Sequence, residues 1–220
     1  MKRLLLPIII LLGACAHLSA ATALRPVTLR CEYRVNPLGV DAPSPRLSWV
    51  LESEQRGVRQ TAYRLLVASS AALLAKDKAD LWDSGKVVSN QSHLVTYAGK
   101  PLASHQLVFW KVRVSRSNDT EAESDVASWT MGFLSPEEWS AHWIVAPELG
   151  QGLPVFRKTF SVDSGLKKAL VNVSGLGHYE LFLNGQKVGK LFLDPPWSVY
   201  EKTAYYSLYD ITDLLKEGEN

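Results

Sequence analysis

The stretch from Val171 to Phe192, VNVSGLGHYELFLNGQKVGKLF, constrains the fold more than any other part of the chain. Val171 and Val173, then Tyr179, Leu181 and Leu183, alternate with Asn172, His178, Glu180 and Phe182. A period of two sends one set of side chains to a core face and the other outward, which specifies β-strands. Between Leu183 and Gln186 stands Asn184-Gly185. A two-residue type I′ turn needs positive φ at both central positions, and these two residue types adopt it at least cost, so the pair predicts a hairpin. Gln186 to Leu191 is the expected returning strand. None of these side chains is reactive at neutral pH, so the stretch predicts an all-β scaffold and assigns no chemistry.

The rest of the chain repeats this short-strand patterning. Strands are expected from Arg25 to Tyr33, over Leu47, Trp49 and Leu51, from Gln60 to Ser69, near Lys86 to Val88, from Ser92 to Tyr97, from Leu107 to Ser115 and from Ser128 to Phe133. A stiff Pro-rich connection (Pro37, Pro43, Pro45) and a short helical turn at Ala71 to Ala75 interrupt them, while Leu81-Trp82-Asp83-Ser84-Gly85 reads as a turn. Seven strands in roughly 110 residues is the size of an immunoglobulin or fibronectin type III sandwich. Trp110 shares its parity with Val112 and Val114, so it is expected in the core, and Trp49 likewise.

At Pro136 the pattern changes to an aromatic, Gly/Pro-rich junction, with Trp139 and Trp143 placed to wedge two domains together. Val155 opens a second set of strands, and Asp194-Pro195-Pro196-Trp197 forms a rigid loop. The expected division is a leader over 1–23, a first sandwich over 24–135, a linker over 136–154 and a second, jelly-roll-like domain over 155–220. Lys216 to Asn220 reads as a turn into a further strand, so this domain is expected to be incomplete and the chain to be the front of a longer protein.

Met1 to Ala23 has a basic start (Lys2, Arg3), an apolar run from Leu4 to Ala16 and small residues after it, the pattern of an export signal. Leu12-Gly13-Ala14-Cys15 suits cleavage before a lipidated Cys15, and Ala21-Thr22-Ala23 suits ordinary signal peptidase; both predict a periplasmic, cell-surface or extracellular protein. The 24 basic residues fall to 22 once Lys2 and Arg3 leave with the leader, matching the 22 acidic ones. With no basic cluster either, nucleic-acid binding is not expected, and a membrane enters only through a lipid anchor. Cys15 and Cys31 are the two cysteines, so a disulfide framework is excluded, and Cys31 reads as a small buried hydrophobe. The five histidines lack metal-ligand spacing, and there is neither a nucleophile elbow nor a phosphate loop.

Several segments in order carry a family resemblance. Leu29-Arg30-Cys31-Glu32-Tyr33, Asn36-Pro37-Leu38-Gly39-Val40-Asp41, Pro45-Arg46-Leu47-Ser48-Trp49, Arg59-Gln60-Thr61-Ala62-Tyr63, Leu81-Trp82-Asp83-Ser84-Gly85 and Phe109-Trp110-Lys111-Val112-Arg113-Val114 resemble the amino-terminal region of bacterial α-L-rhamnosidases of glycoside hydrolase family 78. Trp143-Ile144, Val173-Ser174-Gly175-Leu176-Gly177, Leu183-Asn184-Gly185, Val188-Gly189 and Trp197-Ser198-Val199-Tyr200 look like the domain that follows it there. The match covers nearly all of the mature chain.

The resemblance implies an inverting hydrolase that removes terminal α-L-rhamnose from plant glycosides or polysaccharides. Its two carboxyl groups, held roughly 6.5–9.5 Å apart, belong in the family to an (α/α)₆ barrel, expected here beyond Asn220. This chain alone is therefore expected to be inactive, with no catalytic residues and no required cofactor, and its partners to be the catalytic region in cis and rhamnose-containing glycans. In some members the second domain resembles a calcium-dependent rhamnose-binding module, and calcium takes six to eight oxygens at about 2.3–2.6 Å. Asn184 and Asp194 offer oxygens for such a site, and Trp197 or Tyr200 offers a ring to cover a sugar face. Alternatively Asn184 only makes the turn and Trp197 packs the loop. The competing function is a non-enzymatic exported carbohydrate-binding or surface-adhesion protein of two β-sandwiches.

Overall fold

The computed structural model describes residues 24–116, 120–147 and 153–220. The expected leader, with Cys15, lies outside the described residues.

The first domain holds β1 (Arg25–Cys31), β2 (Arg46–Glu52), β3 (Gln60–Ala68), a helical turn α1 (Ala71–Leu74), β4 (Trp82–Asp83), β5 (Val95–Thr96), β6 (Leu107–Arg116), β7 (Glu121–Glu123) and β8 (Ala127–Thr130). β1, β2 and β5 form one antiparallel sheet; in the other, β3 lies between β4 and β6, and the far edge of β6 carries β7 and then β8. Six of the seven expected strands are there, some of them shorter, Ser92 to Tyr97 contributing two residues; the strand expected near Lys86 to Val88 does not form, and that stretch contributes only an isolated bridge, Val87 to Tyr63.

Alternation explains the core. Leu47 and Trp49 of β2 point inward against Tyr63, Leu65 and Val67 of β3 and Val108, Trp110, Val112 and Val114 of β6, all buried. The Trp49 ring stands edge-on to Tyr63 at 5.3 Å. Its indole N–H donates to Gln60 Oε1 at 3.0 Å, and the Gln60 amide donates on to the carbonyls of Ser89 and Gln91, which satisfies a polar side chain that is itself buried. Outward residues of β3 are buried as well, because α1 lays Leu74 over Leu66 and Ala68. Ser70 caps that turn, its hydroxyl accepting from the Leu73 N–H. Cys31 is buried, and burial, followed by the nearby Glu32 charge, pushes its thiol up to about 12, so it is the inert hydrophobe expected.

Beside α1, the Lys111 ammonium reaches Asp77 at 2.8 Å and Glu123 at 3.0 Å, and Arg113 pairs with the same two carboxylates. Hydrogen bonds from Arg113 and then Lys111 hold the Asp77 carboxyl well below the usual carboxylate range. This cluster explains how β7, a polar Glu-Ala-Glu run without apolar alternation, is retained as a strand.

A 3₁₀ turn over Pro136–Glu138 leads into the second domain. That domain holds β9 (Ser161–Val162), β10 (Leu170–Ser174), β11 (Phe182–Leu183), β12 (Gln186–Lys187), β13 (Tyr206–Asp210), a 3₁₀ turn over Thr212–Leu214 and β14 (Gly218–Glu219). They pair as three antiparallel ribbons, β10 with β13, β11 with β12 and β9 with β14. The Asn184-Gly185 turn is as expected, with φ of 51° and 78° and Leu183 opposite Gln186. Two expectations are corrected. The hairpin strands are two residues each, so the returning strand stops at Lys187 instead of running to Leu191, while β10 ends at Ser174 before Gly175-Leu176-Gly177. Lys216 to Asn220 is more than a turn, because Gly218–Glu219 pairs with Ser161–Val162.

Candidate functional site

The β10–β13 ribbon organises the second domain. Ser174 lies opposite Tyr206, Asn172 opposite Leu208, Val173 opposite Ser207 and Val171 opposite Tyr209. Directly opposed residues share a face, and neighbours along a strand alternate. One face therefore carries Asn172, Tyr206 and Leu208, and the other carries Val171, Val173, Ser207 and Tyr209.

The second face receives the loop after Leu193. Asp194 is 4% exposed, the only buried carboxylate among the described residues. The Ser207 hydroxyl donates to its Oδ1 at 2.6 Å and the Tyr179 hydroxyl to its Oδ2 at 3.2 Å, while the Asp194 carbonyl accepts the Tyr179 N–H at 3.0 Å. Tyr179 and Tyr209 hydroxyls lie 3.2 Å apart. Burial, helped by the Asp194 charge, pushes the Tyr179 phenol up to about 12, so it stays protonated and donating. Close packing needs Gly189 here, with φ of 83°, because a Cβ on it would stand 2.5 Å from the Tyr209 ring.

Beyond Asp194 the loop turns back on itself, with the N–H groups of Lys202 and Thr203 donating to the Val199 carbonyl at 2.8 and 2.9 Å. This leaves Trp197 76% exposed, its ring stacked on the exposed His178 imidazole at 6.0 Å and 21°. Tyr200 is also exposed, on the same loop.

Of the four residues singled out for a carbohydrate or calcium site, Asp194, Trp197 and Tyr200 share this loop and Asn184 does not join them. The Asn184 amide donates instead to the Leu214 carbonyl at 2.9 Å and to Asn220 Oδ1 at 2.8 Å, tying the hairpin tip to the end of β14. Both Asp194 oxygens are taken up by protein hydroxyls. Among the described residues no group of three or more His, Cys, Asp or Glu side chains is placed to hold a metal ion. These residues do not fit a calcium shell of six to eight oxygens.

Tyr179, Ser207, Tyr209 and His178 are the residues of the site that sequence patterning left aside. For Ser207 and Tyr209 the available signal was parity along β13, since residues two apart on a strand share a face.

Two family models match the chain in order: the Rha78A-like N-terminal immunoglobulin domain over residues 26–135 and the α-L-rhamnosidase N-terminal domain over residues 164–220. An α-L-rhamnosidase of Formosa agariphila is 38% identical over 84% of this chain and 22% of its own length. The structure of the α-L-rhamnosidase from Dictyoglumus thermophilum superposes with a TM-score of 0.83 at 36% identity, over 89% of this chain and 24% of that one. That of the Streptomyces avermitilis α-L-rhamnosidase complexed with L-rhamnose gives 0.54 at 32% identity, over 90% and 21%. The chain spans 21% to 24% of the length of the curated relatives it matches. A sandwich with this core, followed by a ribbon domain with this order of elements, is thus similar over almost its whole described length to one end of those enzymes. The chain belongs to the family of the Rha78A-like N-terminal immunoglobulin domain, joined to an α-L-rhamnosidase N-terminal domain, and is homologous to the amino-terminal region of α-L-rhamnosidases.

Proposed function

We propose that this chain is the non-catalytic amino-terminal portion of an exported α-L-rhamnosidase that removes terminal α-L-rhamnose from plant glycosides or polysaccharides, with the catalytic helical barrel encoded beyond Asn220. The observation that carries this reading is the collinear match of both domains to the rhamnosidase models.

The purified chain is expected to release no p-nitrophenol from p-nitrophenyl α-L-rhamnoside above a heat-killed control, and the gene to continue for several hundred codons with helical periodicity. Turnover that persists through stringent purification, or a stop codon after a few more strands, would overturn the proposal in favour of a self-contained carbohydrate-binding or adhesion protein.

The exposed Trp197 ring supports a second role, contact with rhamnose-containing glycans, because an indole face packs on the C–H groups of a pyranose. L-rhamnose titrated calorimetrically is expected to bind weakly, to lose at least about tenfold in affinity on Trp197→Ala, and to be indifferent to a chelator, since the loop offers no calcium shell. Unchanged binding by Trp197→Ala would remove Trp197 from the site.

A further inference from the structure

The seam between the two domains is built from specific contacts. On the first-domain side stand His105, Gly132 and Phe133, with Trp139 from the 3₁₀ turn; on the other stand Asn172 and Tyr206, from one face of the β10–β13 ribbon. The Phe133 N–H donates to the Tyr206 hydroxyl at 2.9 Å. The Phe133 ring lies 4.6 Å from the His105 ring, 5.4 Å from Trp139 and 5.5 Å from Tyr206, and Trp139 lies 5.7 Å from Tyr206. His105 Nε2 is 3.3 Å from Asn172 Oδ1 and 3.1 Å from its Nδ2. The fit is close enough that a Cβ on Gly132 would stand 2.4 Å from the Tyr206 hydroxyl and 3.2 Å from the backbone of Gly39.

This face of the ribbon is the reverse of the one that holds Asp194. Along β13, Tyr206 enters the seam, Ser207 bonds Asp194, and Tyr209 meets the Tyr179 hydroxyl. Among the described residues, this ribbon of two five-residue strands pairs with no third strand. Docking one of its faces against a finished sandwich removes the freedom that the other face would otherwise have.

We infer that the first sandwich is a buttress that positions the Asp194–Tyr200 loop through the β10–β13 ribbon, with Tyr206 and Asn172 as the positioning residues. The two domains then act as one body, and a change at the seam is read out on the loop across the ribbon. This inference rests on the ribbon's geometry and stands whether or not the rhamnosidase proposal does.

Amide hydrogen exchange on the full chain tests it. The Tyr179, Lys202 and Thr203 N–H groups report on the loop through their bonds to the Asp194 and Val199 carbonyls. The Phe160 and Asn220 N–H groups, bonded to each other's carbonyls, report on the second domain away from the loop. Tyr206→Phe deletes one hydrogen bond and is expected to speed loop exchange about fivefold, and Gly132→Ala, whose Cβ displaces the Tyr206 hydroxyl from the seam, at least about tenfold. In both, the Phe160 and Asn220 amides and those of β6 keep their protection. His105→Ala should also speed loop exchange, and His105→Gln, which keeps a polar partner for Asn172, should restore part of it. If Gly132→Ala does not fold, Tyr206→Phe and the His105 pair decide alone. Unchanged loop exchange in these variants would overturn the inference, and so would equal acceleration at Phe160 and Asn220, which would mean general destabilisation of the domain.

Discussion

Trp110→Ala is expected to destabilise the first domain by about 3–5 kcal/mol, the usual range for removing a buried aromatic and leaving a cavity. Trp110 is fully buried on β6 among Val108, Val112, Val114 and the inward side chains of β3. Because domains of this size are held by about 5–15 kcal/mol in total, the loss takes a large share of the margin. Trp110→Phe is expected to cost much less than the alanine variant. The Trp110 indole N–H is buried without a hydrogen-bond partner among the described residues, so phenylalanine removes an unpaired polar group and keeps most of the apolar volume. Trp129 is the control: it is equally buried, but its N–H points at Met131 Sδ at 3.1 Å, so Trp129→Phe forfeits a contact that Trp110→Phe does not. Urea unfolding of the four variants, Trp110→Ala, Trp110→Phe, Trp129→Ala and Trp129→Phe, provides the comparison. A Trp110→Phe midpoint as low as that of Trp110→Ala would show that the indole N–H is engaged after all.

The second large effect is expected at Asp194. Asp194→Ala leaves the half-buried Ser207 hydroxyl, 2.6 Å from Oδ1, without its acceptor and opens a gap under the loop where the buried carboxylate stood, at a cost of about 2–4 kcal/mol to the second domain. Tyr179 is partly rescued because Tyr209 remains 3.2 Å from its hydroxyl. Asp194→Asn keeps one oxygen and should cost less. The two-residue origin of the effect has its own signature: once Asp194 is alanine, Ser207→Ala should add little, so the double variant falls well short of the sum. Additive costs in a double-mutant cycle would mean that Ser207 and Asp194 act independently. Chemical denaturation followed by tryptophan emission gives all four stabilities, and exposed Trp197 on the same loop reports on that loop directly.

How much of this was legible in the chain depends on how far apart the interacting residues lie. β2, β3 and β6 could be read directly, because alternation along a single strand already encodes which face is buried, and Trp49 and Trp110 fell on the inward side by parity alone. The Asn184-Gly185 turn was equally plain, since positive φ is a property of the two residues themselves. β4 and β7 were not. Trp82–Asp83 carries turn-like neighbours and Glu121–Glu123 has no apolar alternation, and each is a strand only because β3 or β6 offers it a ladder edge.

The site was legible only in part for the same reason. The sequence marked Asp194, Trp197 and Tyr200 as one loop, but could not show that the Asp194 carboxylate is consumed by Ser207 and Tyr179, 13 and 15 residues away, or that Asn184 turns toward Leu214 and Asn220 instead. The seam lies furthest from any local signal. Gly132 is required by a hydroxyl 74 positions along the chain, at Tyr206, and nothing in its own neighbourhood announces that need. The sequence by itself thus determined the strand pattern, the turn and the family, which are properties of neighbours and of order. Tertiary structure decided which polar groups are spent inside the domain and which face of the ribbon meets the first sandwich, because those depend on pairs that only folding brings into contact.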